Sequence, residues 1–155
     1  MKPFRYRVLA SLAVLMVLVS CTEPAPPAIP YKPVGDVKQT MNLVLDPAAD
    51  VVWGSAGYIL TLEGEQHLAP TTDEGWLAVK QSAAVVAESG NLLMMPGRAR
   101  DQADWMEISA GLVAAGERAM AAAEAQDAEQ LFKVGGELYN VCVSCHQLYI
   151  AEPAE

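Results

Sequence analysis

Basic side chains are scarce in this sequence. Ten Lys and Arg stand against nineteen Asp and Glu in 155 residues, a formal charge of −9. That balance disfavours nucleic acid as a partner, because phosphate contacts rest on Lys and Arg. The conspicuous apolar run, Val8 to Val19, covers twelve residues and falls short of the ~20 needed to cross a bilayer. No nucleophile–base pair is apparent, and the acids scatter over helix caps and solvent faces, so an enzyme is not expected. From about residue 36 onward there is no convincing strand pattern and no internal repeat. Histidine occurs twice and cysteine three times, which gives weight to where those few residues stand.

The first twenty residues have the form of an export signal, with Lys2, Arg5 and Arg7 ahead of the apolar run. Leu18-Val19-Ser20-Cys21 then resembles a bacterial lipobox, in which the cysteine is lipidated and becomes the new N-terminus. Ordinary cleavage nearby is the alternative, leaving Cys21 as a stray thiol or removing it. Each buried acyl methylene adds ~0.8 kcal/mol, so a multiply acylated cysteine would be a firm anchor. Residues 22–35 hold five of the ten prolines and read as a semi-rigid polyproline spacer. The expected organisation is a signal over 1–20, a lipidated cysteine with its tether over 21–35, and a domain over 36–155. Residues 1–20 carry three basic and no acidic side chains, so without them −9 becomes −12. Such a charge would steer a partner with a basic docking patch, although solubility accounts for it equally well.

Within the domain, Asp46-Pro47 predicts a helix start, an N-cap followed by proline at the first helical position, with the helix running to about Glu63. Upstream, Val37, Met41 and Val44 share a helical face. Whether 37–62 is one kinked helix or two stays open, since an interior proline usually breaks or bends the axis. Thr71-Thr72-Asp73-Glu74 reads as a capping box, followed by Trp76, Val79, Ala83, Val86 and Gly90 along one face. Pro96-Gly97 marks a turn. A third helix from near Asp101 presents Trp105, Ile108, Leu112, Ala115, Ala119 and Ala122, whose alanines admit close approach by a neighbouring helix or a flat cofactor. The fourth begins at Asp127, with Gln130 as a reciprocal cap. Its Leu131, Gly135, Leu138, Cys142, Cys145, His146 and Tyr149 fall in one stripe, and Gly135 leaves room for something bulky. Four helices with short connections predict an all-α antiparallel four-helix bundle, an architecture whose interior commonly holds cofactors.

The stripe runs into "CVSCHQLY", where Cys142, Cys145 and His146 form C-x-x-C-H, the attachment signature of a c-type haem. Thiols three apart on a helix face the same side and can add across the two vinyl groups of one porphyrin. The adjacent histidine then lies beneath the iron as its proximal ligand. One haem per chain is expected, and its propionates would add to the negative charge. Zinc is a weaker reading because it needs four ligands and only His67 remains as an obvious fourth. A thioredoxin-like pair expects a βαβ context, and a disulfide across three residues is strained and rare.

Small class I cytochromes draw their second iron ligand from downstream of the motif, yet no methionine or histidine follows His146. At this point the chain resembles class II cytochromes c, the cytochrome c-prime family and its low-spin relatives. The resemblance covers about residues 36–150 and is most specific at Cys142, Cys145, His146 and Tyr149. It implies a four-helix bundle with covalent haem c and, as in low-spin members, a distal methionine in the first helix about a hundred residues before the motif. Met41 stands 101 positions before Cys142, on the expected inward face beside Val37 and Val44; a core methionine filling a gap is the alternative. Met94 and Met95 sit beside a turn, Met106 and Met120 fall off their helix's main stripe, and His67 belongs to an interhelical loop. High-spin members often carry a basic residue four positions after the proximal histidine. Here that position is Ile150, which favours the six-coordinate reading. Arg98 and Arg100 are candidates for pairing with the propionates, a solvated loop being the other reading.

The function expected from the sequence is a monohaem, lipid-anchored electron carrier on the periplasmic side of a bacterial membrane, serving redox partner proteins. Methionine–histidine ligation raises the potential and suits that task. A gas-binding or sensing protein with an open distal site is one alternative. A non-haem structural lipoprotein with a disulfide is another. Pairing of two copies through exposed helix faces is left open.

Overall fold

The path of the first helix is decided by a proline. The computed structural model describes residues 31–150, so the expected export signal, Cys21 and most of the expected proline-rich tether lie outside the described residues. Contacts divide the chain between Lys32 and Pro33, and every element below belongs to the unit that follows. Helix α1, Val37–Thr40, opens on a capping box that the sequence reading missed: Asp36 Oδ1 accepts from the Gln39 amide at 2.8 Å and Gln39 Oε1 accepts from the Asp36 amide at 3.0 Å. A wide π turn, Met41–Leu45, follows, in which the Asp46 amide donates to the carbonyl of Met41. Helix α2, Asp46–Gly54, continues the path.

Pro47 therefore neither breaks the helix nor starts one. Proline has no N–H to give the carbonyl four residues back and its ring crowds that carbonyl. Here the chain meets the constraint with a turn widened by one residue, a feature often found at functional sites. The expectation that Asp46 is an N-cap is corrected accordingly. It has helical dihedrals, φ −53° and ψ −54°, and no side-chain cap closes the junction before it.

Helix α2 ends at Gly54 rather than near Glu63, and an antiparallel hairpin replaces the expected helical continuation. Gly57, at φ +85°, turns the backbone into a region open to glycine. Strands β1, Tyr58–Thr61, and β2, Gly64–His67, then pair Tyr58 with His67 and Thr61 with Gly64. Aromatic and β-branched residues favour the strand. Every hairpin residue is exposed, so no buried face imposed the period-two pattern by which strands are recognised.

Three long helices complete the fold: α3, Asp73–Met94; α4, Asp104–Glu124; and α5, Ala128–Tyr149. Thr72, accepting from the Gly75 amide, caps α3, which places glycine where a capping box needs Glu or Gln. The reciprocal half read from Thr71 and Glu74 is thus absent. Asp101 stands before α4 and accepts from the amides of Ala103 and Trp105. Asp127 caps α5 by accepting from the Gln130 amide.

Helices α3 and α4 run antiparallel in close contact. Trp105 Nε1 donates to the Leu93 carbonyl at 2.8 Å, and Lys80 pairs with Glu124 at 3.1 Å towards the opposite end. Between these, a Cβ added at Gly116 would meet the Ala87 amide nitrogen at 2.5 Å, and one at Gly90 would meet the Ser109 carbonyl at 2.6 Å. The small residues of α4 thus admit a neighbouring helix. Helix α5 lies antiparallel to α4, with Arg118 bonded to Glu137 and Trp105 meeting Tyr149. The first helix crosses α5 through Trp53 and Gly135. The result is a predominantly helical fold of four packed helices, counting α1, the π turn and α2 as one. Its core includes Val52, Val79, Val86, Leu131, Val134 and Leu138, each 1% exposed or less, and burying such a side chain contributes ~1.5–3 kcal/mol. Among the described residues no helix is long and apolar enough to cross a membrane.

Candidate functional site

Helix α5 changes character along its length. Leu131, Val134, Gly135 and Leu138 are buried, whereas Val141, Cys142, Cys145 and Tyr149 are only partly covered and His146 is exposed. The stripe read from the sequence is therefore continuous, but its second half leaves the core and lines an opening. Trp53 marks the division. Its indole Nε1 donates to the Gly135 carbonyl at 3.0 Å, and its ring occupies the space beside that glycine, 3.4 Å from where a Cβ would stand. The bulky neighbour expected at Gly135 is this tryptophan.

Beyond Trp53 the first helix and α5 enclose two adjoining clefts. The inner has about 460 Å³ of free space, open mouth included, between Leu45, Ala49, Leu112, Val141 and Cys142. The outer has about 990 Å³, bordered by Lys38, Arg100, Trp105 and Tyr149. Inside their walls the cavity volume is about 40 Å³ in the inner cleft and about 420 Å³ in the outer, so only the outer reaches the ~300–1,000 Å³ of cofactor sites. A flat macrocycle would therefore enter from the outer side. Met41, Asp46, Cys145 and His146 line both clefts.

The structure thus brings Met41, Cys142, Cys145 and His146 to one opening. Of the six residues considered as distal ligands, Met41 alone lines these clefts. His67 lies on the exposed hairpin, 3.1 Å from Glu65. Arg100 borders the outer cleft, and so does Lys38, which the sequence reading did not single out. Arg98 goes elsewhere. It is 5% exposed and its guanidinium donates to the carbonyls of Val34, at 2.8 Å, and of Gly35 and Leu92, at 3.3 Å. Neither a propionate partner at the cleft nor a solvated loop residue describes it. Instead it fastens the segment entering α1 to the end of α3.

Both cysteines are free thiols. Burial, then the neighbouring Cys145 and Asp46, push the Cys142 thiol up from its ordinary value, and burial does the same for Cys145. At neutral pH both are protonated, and poorly nucleophilic on their own. Three residues past His146, the Tyr149 hydroxyl bonds to the Asp101 carboxylate. This partner lowers Asp101 from its ordinary value, helped by the amides of Ala103 and Trp105, and raises Tyr149 to about 12.

The donor set fits a covalently held haem: two thiols one helical turn apart, an imidazole beside the second, a thioether across the gap, and aliphatic walls. Among the described residues no group of three or more His, Cys, Asp or Glu side chains is placed to hold a bare metal ion. Comparison with protein-family models, with curated proteins and with solved structures gives no match. Fold and site define a predominantly helical bundle of four packed helices, open at the end of its last helix.

Proposed function

We propose that the protein is a monohaem c-type cytochrome, an electron carrier whose haem is joined to Cys142 and Cys145, with His146 as proximal and Met41 as distal ligand. One observation carries this reading. A thioether from the first helix and the two thiols and imidazole of the last line the same cleft. The haem supplies a one-electron iron centre, and methionine–histidine ligation favours a raised potential. The chain supplies the rest. Cys142 and Cys145 prevent dissociation, Leu45, Leu112 and Val141 shield the ring from water, and Lys38 and Arg100 offer cations for its carboxylates. Export and lipidation of Cys21 would place this carrier on the periplasmic side of a bacterial membrane, where its acidic surface suits redox partners with basic patches.

The test is a pyridine haemochrome assay on protein matured in its natural compartment, followed by spectra of the ferric wild type and Met41→Ala. The expected result is one haem per chain, low-spin in the wild type and high-spin in the variant. An unchanged variant spectrum removes Met41 as ligand. Rapid carbon monoxide binding by the reduced wild type favours a gas-binding protein instead, and apoprotein mass alone favours a structural lipoprotein.

A further inference from the structure

Asp46 is as central to the opening as Met41, since both line the inner and the outer cleft. The sequence presents it as an N-cap, but it caps nothing. The π turn explains its position. In a regular helix the residue stacked beneath Met41 would be four positions on, at Leu45. The wider turn bonds the Asp46 amide to the Met41 carbonyl and brings position 46 beneath 41. Leu45 is buried while Asp46 is exposed, so the carboxylate sits at the mouth, among the described residues the one acidic side chain lining either cleft, with Lys38 and Arg100 bordering the outer one. Its charge reaches α5, where it helps hold the Cys142 thiol protonated.

We propose that Asp46 is the residue that sets the iron's electron affinity, its carboxylate favouring the ferric form; this rests on the haem reading above. A ferric haem with two neutral axial ligands carries one net positive charge on its core that the ferrous haem lacks. A carboxylate lining the same cleft attracts that charge and gains nothing from the reduced form. Asp46 stands at the protein surface, where the effective dielectric is well below that of bulk water. Charges there interact several-fold more strongly than in bulk solvent. One electron arrives from the partner and no bond to Asp46 forms or breaks.

The experiment is a spectroscopic redox titration of the haem-loaded protein at fixed pH, comparing wild type with Asp46→Asn, Asp46→Glu and Asp50→Asn. Asp50 is an exposed acid one turn further along α2 that lines neither cleft. Asp46→Asn is expected to raise the midpoint, changing the ferric-to-ferrous ratio at a given applied potential on the order of tenfold, with the ligand-field spectrum unchanged. Asp46→Glu and Asp50→Asn are expected to stay near wild type. Should the asparagine variant fail to accumulate, Asp46→Ser removes the same charge. Equal midpoints for Asp46→Asn and Asp50→Asn would overturn the inference and leave the haem reading standing. So would a high-spin Asp46→Asn spectrum, which would make Asp46 a support for Met41. A wild type without haem, seen in the haemochrome assay beforehand, overturns both.

Discussion

Tyr149 and Asp101, 48 residues apart in the chain, are joined by a hydrogen bond from the phenol to the carboxylate. The same carboxylate accepts from the amides of Ala103 and Trp105, and the Trp105 ring meets Tyr149 edge to face with centroids 4.9 Å apart. One side chain therefore both organises the entry to α4 and holds the end of α5, just beyond the C-x-x-C-H motif. The pair's stability depends on pH at both ends. The lowered carboxylate contributes above its ordinary 3.8 and loses that contribution as pH falls through its folded value. The phenol contributes fully below its ordinary 10.0 and loses its share as pH rises to about 12. Tyr149→Phe should lower the melting temperature between about pH 4 and 10, and the gap to wild type should narrow outside that window. Thermal melts across pH check it; a constant gap would mean that only ring packing matters.

The seam between α3 and α4 should discriminate between two helical glycines. A methyl at Gly116 would strike the Ala87 backbone, whereas one at Gly136 meets nothing within 4 Å. Gly116→Ala should cost about 1–3 kcal/mol by overpacking. Gly136→Ala should stabilise by about 0.5–1 kcal/mol through helix propensity. Urea titrations read both.

The two arginines after the Pro96-Gly97 turn should part company. Arg98→Ala removes charge-assisted hydrogen bonds to Val34, Gly35 and Leu92 and should cost about 1.5–3 kcal/mol. Arg100→Ala, at the rim of the outer cleft, should leave stability within about 0.5 kcal/mol of wild type. Chemical denaturation distinguishes the two.

In chain produced without haem attachment, Cys142 should be alkylated more slowly than Cys145 at neutral pH. Burial raises both thiols, but Cys142 also faces Cys145 and Asp46. Timed alkylation with peptide mass spectrometry measures the order, and Asp46→Asn should narrow the difference.

Much of the bundle was legible because apolar side chains recurred at helical spacing. Trp76, Val79, Ala83, Val86 and Gly90 are all buried on α3, and the stripe of α5 runs from Leu131 into the motif. What stayed hidden depends on contacts between distant segments. The hairpin buries no face, so Tyr58 to His67 displayed no telling alternation. Trp53 fills the space beside Gly135 across 82 positions, and Arg98 reaches back 64 to Val34. Asp46 was misread for a local reason: Asp-Pro marks a helix start in most settings, and only the widened turn shows that here the helix had already begun.

That turn has a further effect on the chain. Five residues where four would serve amount to one residue inserted into a helix, and Pro47 discourages its removal because it offers no amide to a regular ladder. The stretch before it is thereby re-indexed by about 100° against the stretch after it. Which atom looks across at Cys145 is thus decided by the phase of the backbone one turn away, and replacing Pro47 would be a way to redial the site without touching a residue that lines it.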